Sequence, residues 1–188
     1  MSIFIIVIAV IVFVAVIMIV EYNSLVVLRN RVDNQSAQVD VQLKRRAELI
    51  PNLIEIVKGY AKFEKSTLTN IAQLRNKIMN SGNTSEACAA DAKLSRVCSQ
   101  VMALGESYPE LKANTNFLKL QEELSETENK IVMARQFYND TITKYNTAVQ
   151  VFPKSVIAGI FGFKRKELLE ISRSEREPIK LDSNTFRF

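Results

Sequence analysis

Eighteen consecutive residues, Ile3 to Val20, read IFIIVIAVIVFVAVIMIV and carry no polar group. A helix of that purity meets the ~20-residue requirement for crossing a hydrocarbon layer, once Tyr22 is counted as an interfacial anchor. A cleaved leader would want a positively charged start and small residues before the cut. Only Met1 and Ser2 precede the run, and Ile17-Met18-Ile19-Val20 offers no small-x-small exit. The sequence therefore predicts an uncleaved anchor in a lipid bilayer. No Lys or Arg precedes the span, whereas Arg29, Arg31, Lys44, Arg45 and Arg46 follow it. Positive charge stays on the cytoplasmic side, so the C-terminal domain is expected there.

Past the anchor the chain reads as helix. The 188 residues include only 5 Gly and 4 Pro, too few for a turn-rich β protein. Leu25, Leu28, Val32, Val39 and Leu43 mark one apolar side. Ile50, Ile54, Val57, Ala61, Leu68, Ile71 and Ile78 continue it at threes, fours and their sums. Pro51 interrupts this stretch and predicts a kink. Breaker residues come only at Ser81-Gly82-Asn83-Thr84-Ser85. A second helix is expected from about Glu86 to Leu104, with Gly105 in the left-handed position past its end. Ser107-Tyr108-Pro109-Glu110 reads as a capping box that opens the next helix at once.

That third helix has the most regular pattern. Phe117, Leu120, Leu124, Thr127, Ile131, Ala134, Tyr138, Thr141, Tyr145, Ala148 and Phe152 alternate by three and four, a heptad seam ending at Phe152-Pro153. Such a helix would span ~65 Å. Its partners are either the other helices of the chain or a second copy of it. The short second helix would leave an overhang in an up-down-up bundle. A break near Pro51, or a neighbouring molecule, would relieve that. The expected fold class is all-α: a transmembrane helix (1–21), an antiparallel up-and-down bundle of three to four helices (22–172) and a charged tail (173–188).

Little in this chain suggests chemistry. There are no histidines, which removes the commonest general base, the commonest metal ligand and every Ser-His or Cys-His pair. Glu122, Glu123, Glu126 and Glu128 resemble acidic carboxylate-bundle helices, but those sites need Glu-x-x-His. Cys88 and Cys98 stand ten apart, ~15 Å along one helix, too far for a disulfide. They read as buried thiols. The net charge of +5 is interleaved with acid, unlike the dense patch of a nucleic-acid binder. No cofactor, metal site or small-molecule substrate is indicated.

The residues that remain point to contacts. Tyr138-Asn139 and Tyr145-Asn146 repeat at a heptad, which places both tyrosines in the seam and both asparagines beside it, where amides fix helix register or bind a partner. Val156 to Phe163 is apolar but too short to span a membrane. It is followed by Lys164-Arg165-Lys166. This segment would either cap the bundle or lie on the bilayer, with the basic cluster at lipid phosphates. The candidate interaction residues are Tyr138, Asn139, Tyr145, Asn146, Phe161, Phe163, Lys164, Arg165 and Lys166. Lys44-Arg45-Arg46 is expected to pair with the acidic run of the third helix.

Three blocks carry a resemblance. They are Tyr22 to Asn30 (YNSLVVLRN), Gln38 to Lys65 (QVDVQLKRRAELIPNLIEIVKGYAKFEK), and Tyr108 to Pro153 with its extension to Phe163. Together they resemble the LemA family of bacterial membrane proteins. The second helix, the tail and the two cysteines match only loosely or not at all. The resemblance implies a single-pass anchor in the bacterial cytoplasmic membrane, followed by a bundle of about four helices. It brings no catalytic residues. Some members are associated with magnetosome membranes, which implies membrane organisation. Two functions follow: a self-associating scaffold, as a homo-oligomer, or an adaptor that presents its bundle to another membrane protein. An enzyme would need a nucleophile–base pair that this sequence does not supply.

Overall fold

The computed structural model describes residues 1–60, 65–106 and 108–169. It is all-α among these residues, with no strand. Helix α1 spans Ser2–Tyr60 without interruption, so the apolar run and the first helix of the bundle are one rod. By α-helical rise that rod is ~88 Å long. Among the described residues it is the one helix long and apolar enough to cross a membrane. The run Ile3 to Val20 is bare except at Ile17 and Met18, which are half-buried. Helices α2 (Lys65–Asn80), α3 (Thr84–Glu106), the single turn α4 (Pro109–Lys112), α5 (Thr115–Gln150) and α6 (Lys154–Phe161) follow.

Helices α1 and α5 run antiparallel along their length. Lys154, just past α5, reaches Ser24 at 2.9 Å, Arg46 meets Glu128, and Asn52 and Ile56 lie beside Asn116 and Leu120. The expected stripe on α1 is their interface. Leu25, Val32, Val39, Leu43, Ile50 and Val57 are all buried. Helix α2 returns along α1, since Arg75 lies against Ala47. A straight continuation would have put these residues ~42 Å apart. Helix α3 then runs back beside α1, from Thr84 near Ser36 to Asp91 near Arg46.

Pro51 neither ends α1 nor goes uncompensated. A proline withholds the N–H that would bond the carbonyl four residues back, here that of Ala47. The Arg75 Nε donates to that carbonyl instead, at 3.2 Å.

Four expectations are corrected. Gly105 is not a left-handed cap: it lies inside α3, and the positive-φ glycine among the described residues is Gly162. A Cβ on Gly105 would fall 2.8 Å from Cζ of Phe117, so a glycine admits the buried Phe117 ring. The third helix is not continuous from Pro109. Asn114 starts α5 afresh, its Oδ1 accepting from the N–H groups of Asn116 and Phe117. At its other end α5 stops at Gln150, leaving Phe152 outside the helix and 78% exposed. The 36-residue helix is therefore ~54 Å long. Its seam also shifts. Ile142, not Thr141, is fully buried, because a straight helix drifts off a strict heptad.

The fourth correction concerns the overhang. No break at Pro51 relieves it, since α1 runs through that residue. Helix α6 and an extended segment, 163–169, continue the layer that α3 leaves unfinished. Ala61, Ser107 of the expected capping box, and the tail 173–188 lie outside the described residues. Helix α4 is capped by Tyr108 with no side-chain bond, and Pro109 sits in its first turn.

Two apolar clusters result. The distal one joins α1 beyond Val39 to α2, α3 and α5. The proximal one joins Leu25, Val32, Ile142, Tyr145, Ile157, Ala158 and Phe163. Tyr138 packs against both.

Candidate interaction site at the proximal end

Helix α6 ends at Gly162, whose φ of 73° is the left-handed cap conformation. The chain then leaves as an extended strand of backbone along α5. Extended backbone laid on a helix has a problem, because the helix has no free N–H or C=O to pair with it. Asparagine side chains solve it here. Asn146 donates from Nδ2 to the carbonyl of Lys166 at 2.8 Å and accepts its N–H at 2.9 Å. Asn139 does the same for Leu169, at 3.1 and 2.9 Å. The spacing fits. Seven residues of α-helix rise ~10.5 Å and three extended residues cover ~10 Å, so each heptad step on α5 meets every third residue of the segment.

Around this pair the other predicted residues assemble. Tyr145 is buried and donates from its hydroxyl to the carbonyl of Lys164 at 3.0 Å. Burial pushes its hydroxyl above the ordinary tyrosine range, with Arg29 opposing the shift. Burial raises Tyr138 likewise, against a hydrogen bond with Ser36. Phe163 is buried under the Arg29 guanidinium, 5.3 Å from the ring centroid, and edge-on to Tyr22 at 5.8 Å. Phe161 is half-exposed, with its ring 4.8 Å from Tyr22. Lys166 pairs with Asp33. Lys164 and Arg165 are exposed.

The structure thus brings Asn139, Tyr145, Asn146, Phe161, Phe163, Lys164 and Lys166 to one place. Tyr138, next to Asn139, bonds Ser36 and packs against both clusters instead, and the Arg165 side chain is exposed. The asparagines tie down an extended segment of the same chain, rather than fixing the register of two helices. Tyr22, Arg29, Asp33 and Leu169 complete the site without having been singled out for it. Tyr22 was legible as an interfacial aromatic. Nothing in the pattern around Leu169 marked it as the residue that reaches into the distal core.

One height bears on the two expectations for the basic cluster. Lys166 sits level with Asp33, thirteen residues past Val20, or ~20 Å along the helix. That is beyond both the ~5–8 Å headgroup layer and a ~8 Å Debye length. Lys164, by contrast, directly follows Phe163, whose ring lies 5.8 Å from that of Tyr22, two residues past Val20.

Arg46 does meet the acidic run, and the charge of Arg45 also acts on Glu126. Arg46 is buried between Glu128 and Asp91, 3.3 Å from the latter, while Lys44 and Arg45 are exposed. Glu126 pairs with Lys130 on the surface, and their hydrogen bond lowers its pKa. Both cysteines are free and buried in α3. Burial pushes Cys88 up to about 12 and Cys98 to about 11, which suppresses the reactive thiolate. Among the described residues no three His, Cys, Asp or Glu gather as a metal site would require.

The sequence profile of the LemA family matches residues 35–182. Among similar proteins, Protein LemA of Metamycoplasma hominis is 25% identical over 88% of this chain and 75% of its own length. Magnetosome protein MamQ of Magnetospirillum gryphiswaldense is 22% identical over 86% of this chain and 69% of its own. Magnetosome protein MamQ 2 of Paramagnetospirillum magneticum is 23% identical over the same shares.

Proposed function

This chain belongs to the LemA family, and from that premise we propose that it is a non-enzymatic, single-pass membrane protein whose bundle self-associates as a scaffold to organise a membrane patch. The observation that carries this reading is the unbroken α1. Span and bundle share one helix with no linker between them, so the bundle is a rigid continuation of the span. A tether for a diffusing enzyme would gain from a flexible linker, whereas a scaffold gains from a fixed one. The charge asymmetry around the span supports a bundle on the cytoplasmic side of the bacterial inner membrane.

The heptad seam first considered for self-association is taken up by α1, so a different surface must serve. Met133 and Phe137 stand one turn apart on the outer side of α5, each more than half exposed. They border a shallow groove with Gln35, Gln38 and Gln42 of α1. An apolar i, i+4 pair beside amides suits a second copy of the same helix. The adaptor reading is weaker, because Asn139, Tyr145 and Asn146 are already bonded within the chain. The magnetosome names of two relatives accord with a scaffold of membrane structure.

The test is the molar mass of the full-length protein in mild detergent, beside its Phe137→Glu variant. A defined oligomer that the substitution dissociates supports the scaffold. A monomer throughout overturns self-association and turns the search to a partner protein.

A further inference from the structure

Helix α6 is held at the membrane boundary at both of its ends. At its start, Lys154 bonds Ser24 at 2.9 Å and pairs with Glu21 at 3.5 Å. At its end, Phe161 lies against Tyr22. Eight helical residues extend ~12 Å, yet both ends meet α1 within four consecutive residues, directly after Val20. The axis of α6 therefore crosses α1, and it lies in the plane of the boundary instead of along the rod. Met18, inside the apolar run, packs against the same cluster, which sets α6 level with the last turn of the span.

Its two sides differ. Ile157 and Ala158 are buried against the bundle. On the opposite side, Val156 and Ile160 are 54% and 63% exposed, and Phe152 just before the helix is 78% exposed. In water these side chains would be an unexplained apolar ledge. The bundle lies on one side of this helix and the membrane run on the other.

We propose that α6 is an interfacial helix, with Phe152, Val156 and Ile160 set into the bilayer at the boundary between headgroups and acyl chains. The partner is the lipid surface itself, recognised by apolar burial. Charge contributes little, because Lys154 is paired with Glu21 and Lys166 with Asp33. Binding is thus indifferent to anionic lipid and to salt. The helix acts as a foot. It meets the bilayer beside the span and fixes the tilt and rotation of the rod, which one transmembrane helix does not fix by itself. The inference rests on the membrane-spanning reading of Ile3 to Val20.

The chain contains no tryptophan, so one introduced indole reports its own depth. Full-length variants Ile160→Trp, Phe13→Trp and Phe137→Trp would be reconstituted in phosphatidylcholine vesicles, with and without acyl-brominated lipid. The expected result is strong quenching at positions 13 and 160, none at 137, and no change when a third of the lipid is phosphatidylglycerol. Quenching at 13 with none at 160 overturns the foot and leaves the span standing. No quenching at 13 overturns the span itself. Quenching at 160 only with phosphatidylglycerol overturns apolar insertion in favour of charge.

Discussion

The two halves of the bundle complete the same α1–α5 pair with different material. In the distal half the added layer is helical. α2 and α3 arrive with their backbone bonds already made, so they need offer only apolar side chains, such as Ile71, Ile78, Leu94 and Val101. In the proximal half the added layer is largely 163–169, extended and without a neighbouring strand. Its backbone groups must be paired one by one, and Asn139, Tyr145 and Asn146 do this at defined heights. A helical layer tolerates exchange of one apolar side chain for another. An extended layer depends on particular amides, which is why two Asn stand on α5 where a bundle helix would ordinarily place any polar residue. The distal half is thus expected to open with the whole domain, and the proximal layer to detach by itself.

The widest separation should appear in thiol chemistry, because both cysteines report on the distal core. With Cys88 raised from 9.0 to about 12 and Cys98 to about 11, native labelling at pH 8 is expected to be slowed by at least about a thousandfold and a hundredfold, respectively, through loss of thiolate. The sign for stability follows from the same shifts. The unfolded thiols release protons at lower pH than the folded ones, so stability is retained below about pH 9 and falls as the pH climbs through the folded values. Fast labelling of both thiols in the native protein would mean that the distal half is not closed.

Next in size is Arg46→Ala, expected to cost ~3–5 kcal/mol in a denaturant melt, because it removes the buried cation bonded to Asp91 and Glu128. Replacing Arg46 and Asp91 together by leucines should recover most of that loss. If the single variant melts like the parent, the ion pair is not what orders the distal half.

Asn146→Ala should cost less, ~1–3 kcal/mol, by leaving the N–H and C=O of Lys166 without their partners. The informative measurement is where that cost appears. Hydrogen exchange is expected to speed up at Lys166, with the protection of α3 and the labelling of Cys98 unchanged. A general fall in protection across both halves would show one cooperative unit and end the distinction drawn between them.

The unequal legibility of the two halves has the same cause. Helix periodicity exposed the stripe from Leu25 to Val57 and the seam from Phe117 to Ile131, because burial of one helix face leaves a repeat in the sequence. The heptad repeat of Asn139 and Asn146 was visible too. Its partner was not, since 163–169 has neither strand alternation nor turn residues, and side-chain-to-backbone bonds put no constraint on which residues are held. The helical pattern through Ala61 and Leu68 likewise hid that α2 folds back, and Gly59, next to the end of α1, was the one breaker residue there. Gly105 misled because a glycine near a helix end can serve a dihedral or a contact, and only the position of Phe117 distinguishes them.

The smallest effect tests whether the contrast concerns regions at all, or only which backbone groups lack partners. The distal half contains such a group inside a helix, the Ala47 carbonyl left over by Pro51, and there too a side chain supplies the bond, from Arg75. Arg75→Ala is expected to cost ~0.5–1.5 kcal/mol. In a Pro51→Ala background the helix regains its own N–H donor to that carbonyl, and the same substitution should cost close to nothing. The coupling in this double-mutant cycle would then equal the worth of the Arg75 bond. An equal cost in both backgrounds would assign Arg75 to packing against α1 and leave Asn139 and Asn146 as a device of the proximal half. A coupling of the expected size would mean that both halves follow one rule. Helical backbone needs no help until a proline removes a donor, and extended backbone needs it wherever it lies on a helix.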